Sequence, residues 1–223
     1  MPENKKFWKF CNQAGNKVEL LLYGDISQTS WWGDEVTPKQ FAEELAGLGA
    51  LDEITVRINS GGGDVFAAQA IGNQLEQHPA AVTAKIDGLC ASAATIVACH
   101  CGKVIAATDS TYMVHPVRMG AYGYYNAEEL QKYIEAMNAI RESIVGLYVK
   151  KTGRDKDEVA GWMDETSWWT AAQAKENGFI DELTDEADGA VIENRDGLLF
   201  VNSVNTHLPF DKAPNFVQSS KAA

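Results

Sequence analysis

The chain has 223 residues, 45% of them hydrophobic and 22% charged, and its 19 Lys+Arg against 31 Asp+Glu leave a net charge of −12. This is the mix of a globular protein of one domain, or one with an appendage, long enough to bury roughly 70% of its unfolded surface without staples. The acidic balance excludes a non-specific nucleic-acid binder, which needs a basic face.

Of the four cysteines, Cys90, Cys99 and Cys101 fall in one short apolar stretch, which reads as reduced thiols in a cytosol and not as a secreted disulfide ladder. The first residues, MPENKKFWKFCNQAGN, hold no apolar core with a small-residue cleavage site, and no run approaches the roughly 20 apolar residues of a membrane span. The expectation is a cytoplasmic protein with no nucleic-acid or membrane partner.

In chain order, Val18 to Tyr23 reads as a buried strand closed by Gly24-Asp25. Thr37-Pro38 opens a helix carrying Phe41, Leu45 and Leu48. Ile54 to Ile58 is a second strand. It runs into Asn59-Ser60-Gly61-Gly62-Gly63-Asp64 and then a helix with Val65, Ala68, Ile71 and Leu75. Ala81 to Ile86 is a third strand, followed after Asp87-Gly88 by Leu89 to Ala98, small and apolar all round, as a buried helix. Lys103 to Ala106 and Thr111 to Val114 are short strands.

Ala127 to Lys151 is a long amphipathic helix with Leu130, Ile134, Met137, Ile140, Ile144 and Leu147 on one stripe, stopped by Gly153. Thr170 and Gln173 form a capping box for a short helix ending at Gly178, and Phe179-Ile180-Asp181 starts a last strand. Alternating strands and helices argue an α/β fold with parallel crossovers. Beyond Asp185 the texture becomes strand or hairpin with a turn at Asp196-Gly197, and 207–223 reads as a loose tail. The expected division is 1–185, 186–206 and 207–223.

Three places could carry chemistry. Gly61-Gly62-Gly63 lies between a strand and a helix, where bare amides can face a negative oxygen: a phosphate cradle, half of an oxyanion hole, or only a tight turn. The lysine of GxxxxGK[ST] and the spacing of GxGxxG are both missing, which disfavours phosphate. Ser92 sits at a strand-to-helix turn, where helix-start amides can hold an oxyanion beside a nucleophile, or where a small residue simply lets the helix pack. His115 ends a strand ahead of a loop, the position from which α/β enzymes project side chains into a crevice, and imidazole titrates near neutrality unaided. Cys99-His100-Cys101 lacks the partner cluster that zinc requires, and Cys90 reads as a small buried thiol rather than a nucleophile.

The ordered set NSGGGDVFAAQAI, IDGLCASAATIVA, YMVHP and TAAQAKENGFID resembles the Clp-type proteolytic subunit family, closest in flavour to the ClpP-like head-maturation proteases of phages and prophages. The resemblance runs from about Val18 to Leu183. It implies a ClpP/crotonase-like spiral of β-β-α units with the long helix as a protruding handle that joins two rings.

The resemblance also implies a serine endopeptidase with Ser92 as nucleophile, His115 as general base, and the amides of Gly63 and Ala93 as oxyanion donors. Without gaps, the family's acid falls on Thr166. Reading Ser167 as a one-residue insertion moves it to Glu165, with Asp164 next to it, and Glu165 is the residue chosen here. No metal or organic cofactor is implied. The partners implied are a polypeptide substrate, further copies in a ring or stacked double ring, and capsid or portal proteins for a phage enzyme, in a bacterial or phage-infected cytoplasm. An ATPase unfoldase stays open. Two other readings use the same fold: an acyl-CoA enzyme, and a ring-forming capsid component without catalysis.

Overall fold

The structure is a computed structural model. It describes residues 7–12, 15–27 and 38–184 in full, and the backbone of 192–195, 198–201 and 204–209. The chain divides into two units, Met1–Leu183 and Thr184–Ala223.

The first unit is built on an eight-stranded sheet. Its strands are β1 (Trp8–Asn12), β2 (Lys17–Tyr23), β3 (Glu53–Ser60), β4 (Ala81–Ala91), β5 (Lys103–Ala107), β6 (Thr111–Val114), β7 (Ser167–Thr170) and β8 (Glu182–Thr184). The main path runs β1-β2-β3-β4-β5-β8, while β6 pairs with both β4 and β7. β2, β3, β4 and β5 are parallel, so each crossover carries a helix: α1 (Pro38–Gly47), α2 (Val65–Glu76) and α3 (Ala93–His100).

Alternation on β3 buries Ile54, Val56, Ile58 and Ser60 and leaves Thr55 and Arg57 half-buried on the other face. The buried face meets Phe41 and Leu45 of α1 and Ala67, Ala68, Ile71 and Leu75 of α2 in one core. α3 is buried on every side, consistent with its all-apolar sequence.

β4 is the element that builds the site. Its first half pairs β3 and β5, from Ala81 opposite Glu53 to Ile86 opposite Ala106. The β3 register then slips to put Cys90 opposite Ser60, while on the other edge Leu89, Cys90 and Ala91 pair with Thr111, Tyr112 and Met113 of β6 in place of β5. Residues 89–91, expected in a helix, are therefore strand. A run that is small and apolar on all sides fits a strand buried on both faces as well as a helix, and only the partner decides.

The long helix α4 (Ala127–Thr152) opens on an Asn126–Glu129 capping box and ends at Gly153, φ 68. α5 (Lys156–Asp164), capped by Asp155, and β1 and β7 were not foreseen from sequence. α6 (Ala171–Glu176) opens on the Thr170–Gln173 box, and the strand expected from Phe179 begins at Glu182. No helix among the described residues is long and apolar enough to cross a membrane.

The second unit holds β9 (Ile192–Arg195), β10 (Leu198–Val201) and β11 (Val204–Pro209), antiparallel in the order β11-β10-β9. Strand thus reaches Pro209, within the segment expected to be a loose tail. The expected Asp196-Gly197 turn and the rest of that tail lie outside the described residues.

Candidate active site

β4 ends at Ala91 and α3 starts at Ala93, which leaves Ser92 alone on the turn with φ 55 and ψ −127. A non-glycine residue in that half of the map costs on the order of 1–3 kcal/mol and persists only where its surroundings enforce it. Two features enforce it here. The Ser92 amide donates to the Met113 carbonyl of β6 at 2.9 Å, which extends the β4–β6 ladder past its last pair. Gly62, at φ 95, also presses against the turn: a Cβ there would stand 2.6 Å from the Ala91 carbonyl oxygen and from Ser92 Cβ.

His115 follows β6 directly. Because β4 and β6 run parallel with Ala91 beside Met113, Ser92 and His115 leave neighbouring strand ends together. The Ser92 hydroxyl lies 2.8 Å from His115 Nε2, and His115 Nδ1 lies 2.6 Å from the Pro116 carbonyl oxygen.

The glycine turn supplies the remaining polar groups. Ile26 forms an isolated parallel bridge with Gly63: its amide donates to the Gly62 carbonyl and its carbonyl accepts from Asp64, both at 2.8 Å. Those bonds use the groups on either side of Gly63, whose own amide has no acceptor among the described residues. The approach requires glycine, because a Cβ at Gly63 (φ 139) would stand 2.0 Å from the Ile26 carbonyl oxygen. The Ala93 amide belongs to the first turn of α3 and has no intrahelical acceptor. Ser60 fixes the turn from beneath, donating its hydroxyl to the Gly24 carbonyl at 2.6 Å and accepting from the Gly62 amide at 3.1 Å.

Gly63, Ser92, Ala93 and His115 line one cavity of about 190 Å³, whose other walls include Val65, Ile96, Val117, Ile144, Tyr148 and Met163. Four of the five site residues named from the sequence therefore share a cavity. The fifth does not join them. Glu165 caps the C-terminus of α5 with an exposed side chain, and Asp164 is held by Arg141 at 3.1 and 2.7 Å. Register separates them: β7 pairs antiparallel with β6 as far as Val114 opposite Ser167, which leaves Thr166, just before β7, next in line toward His115. The ungapped alignment falls on Thr166, which has φ 58.

The remaining candidates fall away from the cavity. Cys90 is fully buried and desolvation pushes its thiol well up, while burial pushes Cys99 and Cys101 to about 12, so none is a ready nucleophile. His100 pairs with Glu76 at 2.5 Å. The sequence named Gly62 only as part of the glycine triplet and did not name Pro116, for which the His-Pro dipeptide was the signal.

A hydroxyl in contact with an imidazole, beside two amides that have no acceptor among the described residues, is the arrangement of an acyl-transfer enzyme. Residues 26–187 match the Clp protease family model, and the chain belongs to that family of peptidases. It is 28% identical over 181 residues to the ATP-dependent Clp protease proteolytic subunit 1 of Chlamydia abortus, covering 77% of this chain and 94% of that protein. It is 29% identical over 155 residues to the proteolytic subunit of Bacteroides fragilis, covering 67% and 74%. A single-residue mutant of ClpP1 from Listeria monocytogenes superposes with a TM-score of 0.61 at 24% identity, over 76% of this chain and 92% of that one, and so shares the fold.

Proposed function

We propose that the protein is a serine endopeptidase in which Ser92 is the nucleophile and His115 the general base. The observation that carries the reading is the 2.8 Å contact between the two side chains on a turn held against its backbone preference.

In the first step His115 Nε2 takes the hydroxyl proton as Ser92 Oγ bonds to the substrate carbonyl carbon. The oxyanion that forms is met by the Gly63 and Ala93 amides, each contributing about 3 kcal/mol to the transition state. The C–N bond then breaks and His115 returns its proton to the leaving amine. Water, deprotonated by His115, releases the acyl group and restores Ser92. No metal or organic cofactor enters this sequence.

The exposed apolar residues of α4 support assembly of several copies in a ring, with the helix as the handle between stacked rings. We assign the peptidase to residues 1–185, with 186–206 an extension and 207–223 a tail, and place the protein in the cytoplasm of a bacterial or phage-infected cell. Processing of capsid or portal proteins is the finer reading that the sequence flavour favours.

The test is labelling with a fluorophosphonate probe together with casein cleavage by the wild type and Ser92→Ala. The expected result is labelling and cleavage in the wild type and neither in Ser92→Ala. An unlabelled wild type would leave a non-proteolytic acyl-CoA enzyme or a capsid component in its place.

A further inference from the structure

We infer that the Pro116 main-chain carbonyl, and no side-chain carboxylate, is the group that orients His115 and fixes its tautomer. The inference rests on the serine-peptidase reading and names the third partner of that site.

Nδ1 of His115 has one hydrogen-bond partner among the described residues, the Pro116 oxygen at 2.6 Å. A carbonyl oxygen can only accept, so the proton must sit on Nδ1. Nε2 of the neutral ring is then a bare acceptor pointing at the Ser92 hydroxyl 2.8 Å away, the tautomer that a general base requires. The reverse tautomer would oppose two lone pairs at Nδ1 and would make the Ser92 hydroxyl an acceptor, its proton turned away from the ring.

The geometry is built into the chain. A residue before proline is confined to extended backbone, and proline fixes its own φ near −65°, so two of the backbone torsions between the His115 ring and the Pro116 carbonyl are restricted. The ladder holds the same segment from the other side, because the Met113 carbonyl accepts from Ser92.

Among the described residues, neither Asp164 nor Glu165 bonds to His115. Arg141 grips Asp164, Glu165 is exposed at the end of α5, and the uncharged Thr166 is the last residue before β7. In serine peptidases, replacing the acid by a neutral amide costs about 10⁴ in kcat largely because the ring takes the wrong tautomer. A carbonyl acceptor prevents that loss, but as a neutral group it stabilises the imidazolium less than a carboxylate does.

The test has two arms. The first is ¹⁵N solid-state NMR on histidine-labelled wild type at about pH 9, where imidazole is ordinarily neutral, with His115→Gln identifying the resonance. A protonated Nδ1 and bare Nε2 support the inference, and a protonated Nε2 overturns it. The second arm compares fluorophosphonate acylation rates of the wild type and the exposed-site variant Glu165→Gln. Rates within about twofold support the inference. A loss of about 10³-fold or more, the size expected of a triad acid, would return the role to Glu165. Failure of the peptidase reading is separately visible as an unlabelled wild type, and the NMR arm still decides the tautomer in that case.

Discussion

At Ser92 the demands of chemistry and of stability oppose each other. A serine in the ordinary β region would lie along β4 and away from His115; φ 55 lifts the hydroxyl to the imidazole and opens the first turn of α3 beside it. The strain is compensated by the Met113 hydrogen bond and by the close fit of Gly62. Two substitutions separate these contributions. Ser92→Ala removes the hydroxyl and keeps the strain, so its thermal midpoint should stay near that of the wild type. Ser92→Gly removes both, and unfolding should show a gain of about 1–2 kcal/mol with no peptidase activity. Equal midpoints for the two variants would show that the turn stores no strain. Residue types at element ends made Ser92, His115 and the glycine turn legible in the sequence. The third partner was not, because it is a backbone atom, and because which residue faces His115 depends on the β6–β7 register, which no local pattern in residues 163–170 specifies.

Elements were readable wherever a local rule sufficed. The capping box of α6, the stop of α4 at Gly153 and the apolar runs of β2 and β3 all stand where their residues place them. Local rules fail where tertiary partners decide, as at Leu89 to Ala91, and at β1, whose Trp8 is buried only because β2 and α1 close over it. The open face of the sheet shows the same dependence. Arg57 of β3 grips Asp87 of β4 through Nε at 2.8 Å and Nη2 at 2.5 Å and reaches Glu19 of β2 at 3.4 Å, while Tyr23 donates to Asp87 at 2.7 Å. Burial pulls the Arg57 guanidinium down, but the hydrogen bond and charge of Asp87 outweigh it and hold the group firmly protonated. One guanidinium thus ties three strands that share no sequence neighbourhood. Arg57→Met would leave Asp87 and the nearly buried Glu19 without their counter-charge, and chemical denaturation should show a loss of about 3 kcal/mol. Arg57→Met combined with Asp87→Leu should recover part of it, since exchanging a pair for apolar groups costs less than orphaning one member.

The whole molecule raises a question that one chain does not answer. α4 has 26 residues, yet its only buried side chains are Ile144, Val145 and Tyr148, all in its C-terminal half. Toward its start, Leu130 and Ile134 are 48% and 50% exposed, one turn apart on the same face. An isolated helical segment of that length is marginal in water, and its capping box and acidic first turn offset only part of the cost of ordering it. Burying the stripe against the same stripe of a second copy would supply the missing stabilisation, with a two-fold contact that joins rings face to face. Leu130→Gln with Ile134→Gln should therefore leave the thermal midpoint of the isolated fold within about 0.5 kcal/mol of the wild type, since both positions are half in solvent. Sedimentation velocity should show particles of about half the wild-type mass, one ring in place of two. Unchanged mass would mean that the stripe holds no copies together, and a fall to single chains would place it within the ring instead of between rings.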